Sequence, residues 1–114
     1  MNARVLIVED EPLIAMMLED FLEMLGKSAA GPADNCADAI ALIAAGGIDA
    51  AILDVNLRGG DTSRPVADAL AAAGIPFVFA SGGSGDLFGD HRDRPVLAKP
   101  FTMDAVARAL AALG

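Results

Sequence analysis

One cysteine, one histidine and eight basic residues against sixteen acidic ones set the first limits on this chain of 114 residues. A lone Cys36 cannot close an internal disulfide, so a reducing cytoplasm is the natural compartment. The shortage of lysine and arginine leaves a formal net charge of −8, which repels nucleic acid and anionic lipid surfaces alike. Neither is expected as a partner. Long apolar runs are also missing, and none approaches the roughly 18 to 20 residues of a membrane span. The first apolar run, Val5 to Val8, is followed at once by Glu9, Asp10 and Glu11, which is not the pattern of a signal peptide. Yet 54% of the residues are hydrophobic and the mean hydropathy is +0.49, so the apolar excess must be folded inside or used at an interface. The length suits a single domain over residues 1–114 with one substantial core.

What is present is an alternation. Val5-Leu6-Ile7-Val8, Ala50-Ala51-Ile52-Leu53, Phe77-Val78-Phe79-Ala80 and Val96-Leu97-Ala98 are continuous apolar runs of strand length. Such runs suit strands of a parallel sheet buried on both faces. A weaker fifth strand near Lys27 to Ala30 reads as an edge strand. Pro12 is pre-set for a first helical position, and a helix from there stops before Gly26. Its stripe is Ile14, Met17, Leu18, Phe21, Leu22 and Leu25. Asp34 or Asn35 can cap a second helix to about Ala45, ended by Gly46-Gly47. Ser63, before Arg64 and Pro65, can open a third that ends at Gly74, and Thr102 can cap a last one through about Leu113. Strand and helix alternating five times give a three-layer α/β fold, with no linker, low-complexity tract or further repeat.

The segment from Ser81 to Arg94 breaks the pattern. A fourth helix belongs there, but Gly82, Gly83, Gly85 and Gly89 each cost about 1 kcal/mol against alanine in a helix. Only Asp86-Leu87-Phe88 can hold a turn, so this helix is expected to be short or mobile, with fast amide exchange. His91, among Asp90, Arg92, Asp93 and Arg94, reads as solvated. Cys36, Met24 and Met103 read as packing residues or residues at element ends.

Each strong apolar run is followed at its carboxyl end by a residue able to do chemistry: Glu9 and Asp10, then Asp54, then Ser81, then Lys99. In an open parallel sheet ligands bind outside the carboxyl ends of the strands, so these residues converge on one pocket. Three carboxylates brought together repel, and a proton or a cation relieves them. Mg²⁺ answers that need, since it takes hard oxygen ligands and keeps several waters. Asp10 and Asp54 would ligate directly, Glu9 through a water, and the Asn56 backbone carbonyl would complete the protein's share. Asp54 is then the nucleophile for a phosphoryl group, with the Lys99 ammonium and the Ser81 hydroxyl on its oxygens. Taken singly, each residue has a plainer reading: a carboxylate after a strand is often a helix cap, a serine a turn residue, a lysine a solvated charge. The joint placement, in this order, carries the argument.

Val8-Glu9-Asp10-Glu11-Pro12, Leu53-Asp54-Val55-Asn56-Leu57 and Leu97-Ala98-Lys99-Pro100-Phe101 resemble the three signature stretches of response regulator receivers, and the resemblance covers essentially the whole chain. It implies a flavodoxin-like five-stranded parallel sheet in the order 2-1-3-4-5, flanked by five helices. It makes Asp54 the phosphoacceptor, Glu9 and Asp10 the acidic pair, Ser81 the family's hydroxyl and Lys99 its lysine. Pro76-Phe77-Val78-Phe79-Ala80-Ser81-Gly82 is similar to the FATGUY subgroup of single-domain receivers, with serine in place of threonine. That subgroup is typical of alphaproteobacteria and is linked to sensor histidine kinases of the HWE or related type. Two positions depart from the family. Val96 stands where it usually has an aromatic switch residue, so a switch must use other parts, such as the glycine-rich segment. Gly83 offers little cover for the phosphoryl group, which implies a short-lived acyl phosphate.

With the chain ending after its last helix, no output domain is expected, and output must come through binding or through passing phosphate on. The implied partners are a histidine kinase or a histidine phosphotransfer protein, and a downstream protein. Leu13 and Met16 lie off the core stripe of the first helix, the helix through which receivers usually dock their kinase. On the last helix Val106, Leu110 and Leu113 form a core stripe, while Ala105, Ala109 and Ala112 form a second one able to pack a partner or a second copy, as monomer or weak homodimer. The main enzymatic rival is a haloacid dehalogenase phosphatase, which needs an acid/base Asp two residues after its nucleophile. Here that residue is Asn56, which cannot serve. Two non-enzymatic rivals are a pseudo-receiver that only binds and a sink that drains a kinase of phosphate.

Overall fold

The computed structural model describes residues 3–55, 57, 62–81, 96–98 and 102–112. Five strands, β1 (Arg4–Val8), β2 (Ser28–Ala33), β3 (Ala50–Asp54), β4 (Phe77–Ser81) and β5 (Val96–Ala98), form one parallel sheet in the order β2-β1-β3-β4-β5. Among the described residues four helices accompany it: α1 (Pro12–Met24), α2 (Cys36–Ala45), α3 (Arg64–Ala72) and α4 (Met103–Ala112). The short or mobile helix expected between Ser81 and Arg94 falls outside the described residues.

Three of the continuous apolar runs become the inner strands β1, β3 and β4 and the fourth becomes the short edge strand β5, with both faces of the sheet covered. Successive side chains point to opposite faces. Leu6, Val8, Ala51, Leu53, Phe77 and Phe79 pack on one side with Ala39 of α2 and Val66, Ala67 and Leu70 of α3. Val5, Ile7, Ile52, Val78, Ala80 and Leu97 pack on the other with Ala15, Leu18 and Leu22 of α1 and Val106 and Leu110 of α4. Burying each such Leu, Ile, Val or Phe side chain contributes about 1.5 to 3 kcal/mol, which is where the high hydrophobic fraction goes. Phe77 and Phe79, two residues apart and so on one face, meet edge to face with ring centroids 5.5 Å apart. The expected stripe on α1 faces the core: Leu18 and Leu22 are buried, and Ile14, Met17, Phe21 and Leu25 pack against them.

Strand β2 sits at the sheet edge, as expected, but runs three residues further than the sequence indicates. Ser-Ala-Ala-Gly-Pro-Ala has no bulky β-branched or aromatic residue to announce a strand. It continues because the register with β1 shifts between Leu6 and Val8 and the Glu9 amide then donates to the Ala33 carbonyl at 3.0 Å. Pro32 is tolerated there because an edge strand does not need every N–H.

Helix ends follow the chemistry in two cases and depart from it in one. Asn35 caps α2, its side chain accepting from the Asp38 amide at 2.8 Å, and Thr102 accepts from the Ala105 amide at 3.1 Å. Ser63 occupies the corresponding place before α3 but makes no side-chain cap. Its backbone (φ −84°, ψ 12°) is not extended as a capping residue's usually is, and Pro65 removes one of the two amides a cap would reach. Cys36 opens α2, Met24 closes α1 and Met103 opens α4, so all three lie at element ends.

Candidate functional site

The strand order fixes where chemistry can occur. After β1 the chain crosses to β2 on one side, then returns to place β3 on the other, so the carboxyl ends of β1 and β3 flank the switch point. Val8 pairs with Leu53 in register, which brings the residues just beyond them together. Glu9 and Asp10 follow β1, and Asp54 is the last residue of β3. One carboxylate oxygen from each of the three lies within 4.8 Å of the other two. Glu9 is buried, with 3% of its surface exposed, while Asp10 and Asp54 are half-buried. A buried carboxylate beside two others is electrostatically costly unless something positive or a proton is shared among them.

The donor set fits a magnesium ion. Around Mg²⁺, with bonds of about 2.1 Å, adjacent ligand oxygens stand roughly 3.0 Å apart and opposite ones roughly 4.2 Å. Oxygens that lie within 4.8 Å of one another therefore match two direct ligands, with the third held directly or through a water. All three are hard oxygen donors, as that ion requires.

Strand β4 ends at Ser81, with Asp54 paired to Ala80, so the Ser81 backbone stands next to the end of β3. Strand β5 ends at Ala98, the residue before Lys99. Asn56 and Lys99 lie outside the described residues, and Ser81 and Ala112 are described through their backbone alone. Leu13 and Met16 are 80% and 54% exposed on α1. Ala105 and Ala109 are half-buried and pack against the core beside Val106 and Leu110, so part of the second α4 stripe is already used inside the fold.

One residue near the site has a role that its sequence context does not signal. Ser63, fully buried, donates both its amide (2.9 Å) and its hydroxyl (3.3 Å) to the carbonyl of Val55, the residue after Asp54. The Val55 amide donates in turn to the Ala80 carbonyl at 3.3 Å. No local signal marks this, since a serine before Arg-Pro reads as a cap. A concavity of about 190 Å³ lined by Val5, Lys27, Asp49, Pro76 and Leu110 opens at the opposite, amino-terminal end of the sheet and carries none of the candidate residues.

Comparison with known proteins places these features in context. The response regulator receiver domain family matches residues 5–69. The phyllosphere-induced regulator PhyR of Methylorubrum extorquens is 33% identical over 105 residues, which are 89% of this chain and 39% of that protein. The chain thus spans well under half the length of this curated relative. The solution structure of SdrG from Sphingomonas melonis Fr1 is 67% identical with a TM-score of 0.89, covering 98% of this chain and 96% of that one. The solution structure of the BeF3-activated conformation of SdrG from Pseudomonas melonis Fr1 is 68% identical with a TM-score of 0.84, covering 99% and 98%.

Proposed function

The chain belongs to the response regulator receiver family of two-component signalling, and from that premise we propose that Asp54 takes a phosphoryl group from a phosphohistidine and that the protein then signals by binding. The observation that carries this reading is the meeting of Glu9, Asp10 and Asp54 at the switch point of the sheet. An Asp54 oxygen attacks phosphorus, the new O–P bond forms as the histidine N–P bond breaks, and the imidazole leaves with the electron pair. Glu9, Asp10 and Asp54 would hold Mg²⁺, with the Asn56 carbonyl completing the set. When bound, the ion supplies positive charge against the phosphoryl oxygens. Lys99 supplies a further point charge and Ser81 a hydroxyl donor. Support comes also from SdrG, for which a BeF3-activated conformation exists, since beryllofluoride stands in for a phosphoryl group on a carboxylate.

The donor in this reading is a sensor histidine kinase, with one of the HWE type indicated by the Phe77-Val78-Phe79-Ala80-Ser81-Gly82 stretch, or a histidine phosphotransfer protein. Leu13 and Met16 on α1 form the exposed apolar contact for it. In this reading the compartment is the cytoplasm, where a lone Cys36 stays reduced. No described helix is long and apolar enough to cross a membrane.

The test is intact mass after incubation with acetyl phosphate, with and without Mg²⁺, beside Asp54→Asn. A gain of one phosphoryl group that needs both Mg²⁺ and Asp54 is the expected result. No adduct, and no thermal shift with beryllofluoride, would overturn the phosphoacceptor reading in favour of a module that only binds.

A further inference from the structure

Ser63 is a buried polar residue without an ordinary reason to be polar. Its hydroxyl does not cap α3, and none of its surface reaches solvent. The hydroxyl and the amide instead converge on one acceptor, the Val55 carbonyl, at 3.3 and 2.9 Å. A carbonyl oxygen has two lone pairs, and these two donors occupy both. The Val55 amide is tied to Ala80 of β4, and the Val55 side chain is buried. Both peptide groups of the residue after Asp54 are therefore held from outside their own strand.

Resting on the Asp54 reading above, we propose that Ser63 is a positioning residue for phosphoryl transfer: its second donor fixes the backbone that leaves the nucleophile. The Val55 carbonyl lies one residue past Asp54, so a change in its tilt is passed through the Val55 Cα to the peptide that carries Asp54. In-line attack needs the nucleophilic oxygen fixed to a fraction of an ångström, and a shift of about 1 Å can cost on the order of a hundredfold in rate. A serine amide alone leaves that peptide free to rock about a single hydrogen bond. The hydroxyl removes this freedom.

The test uses Ser63→Ala, which deletes only the oxygen and leaves the amide bond, with Val66→Ala as a control that empties part of the core in the same helix. Three quantities are read: the phosphorylation rate with acetyl phosphate at saturating Mg²⁺, the Mg²⁺ dissociation constant from an NMR titration of backbone amides without phosphodonor, and the melting temperature. Ser63→Ala should slow phosphorylation about tenfold and weaken Mg²⁺ several-fold, whereas Val66→Ala should lower the melting temperature and leave both within twofold. Ser63→Cys, which keeps a weak donor, should recover part of the rate. Wild-type values for Ser63→Ala in rate and Mg²⁺ binding, or an equal slowing in Val66→Ala, would overturn the proposal alone. A wild-type protein that accepts no phosphoryl group would overturn the Asp54 reading and the proposal with it.

Discussion

Removing Mg²⁺ should cost this protein stability: the carboxylate cluster sets the direction of the effect, and the ion concentration relative to its dissociation constant sets the size. Two unit charges 4.8 Å apart, the bound within which all three oxygens lie, repel by about 3.5 kcal/mol at an effective dielectric constant of 20 and by about 0.9 kcal/mol in bulk water. Glu9 is 3% exposed and the two aspartates are half-buried, so the effective dielectric constant lies between these two cases. A divalent cation adds three attractions that outweigh these repulsions in the folded state, while the unfolded chain holds the carboxylates apart and binds the ion weakly. Stabilisation then follows the binding polynomial: at ten times the dissociation constant it is about 1.4 kcal/mol, and at a hundred times about 2.7 kcal/mol. A chain of 114 residues unfolds with an entropy of about 240 cal/mol/K near 60 °C, so 1.4 kcal/mol moves the melting temperature by about 6 °C. The assay is a thermal melt followed by circular dichroism, in EDTA, in increasing MgCl₂, and in NaCl at matched ionic strength. Asp54→Asn, which removes one of the three carboxylates, should lose at least half of the Mg²⁺ shift. An equal shift with NaCl would mean that the cluster responds only to general screening. An equal shift in Asp54→Asn would mean that the ion binds elsewhere. Either result refutes the reasoning.

Other residues give sharper local tests. Asn35→Ala deletes the acceptor of the Asp38 amide at the start of α2 and should cost about 1 kcal/mol, read as a fall of about 4 °C in melting temperature; no fall would mean that this cap is idle. Gly31 has φ +88°, and a Cβ there would stand 2.8 Å from the Ala33 nitrogen and 3.2 Å from the Ile7 carbonyl oxygen, both backbone atoms. Gly31→Ala should therefore lower stability by more than about 1 kcal/mol in urea unfolding, and a neutral result would show that the β2 edge yields freely. Leu13→Ala with Met16→Ala should change stability by less than about 0.5 kcal/mol per site, because both side chains are exposed, and leave acetyl phosphate labelling untouched while slowing transfer from the kinase. Unimpaired transfer would take the docking contact off this face.

The parts legible in the sequence share one physical property: their signal is local and repeated. A strand buried on both faces must be apolar nearly throughout, so β1, β3 and β4 announce themselves by runs alone, and the edge strand β5 by a shorter run. The stripe of α1 does so through its helical period, and Asn35 and Thr102 through ordinary capping chemistry. The convergence of Glu9, Asp10 and Asp54 is legible because it needs only two facts, that the strands are parallel and that the order reverses between β1 and β3. Strand β2 is half legible, since its last three residues are held by a shifted register and by the Glu9 amide rather than by their own propensity. The α4 alanines illustrate the opposite limit. Ala105 and Ala109 look spare in the sequence because alanine carries almost no pattern, yet a small side chain lets its helix sit close to the sheet and becomes half-buried in doing so.

Ser63 shows why some site residues cannot be read from sequence at all. A capping serine and a serine that holds distant backbone have the same neighbours in the chain, and both precede a helix. The two roles separate only through geometry that depends on Pro65 withdrawing one amide and on the Val55 carbonyl standing within reach eight residues back. Once the sheet places that carbonyl directly after Asp54, the hydroxyl has a partner it could not have found in a different fold. Its burial then excludes water as a substitute. The consequence is asymmetric. Substituting a cap would loosen α3, which lies on the α2 side of the sheet, whereas substituting Ser63 would loosen the Val55 peptide one residue past Asp54. A melting curve alone does not separate these two consequences, because both lower stability, but the Mg²⁺ dissociation constant does. Only the second role ties that constant to an oxygen that is itself no ligand.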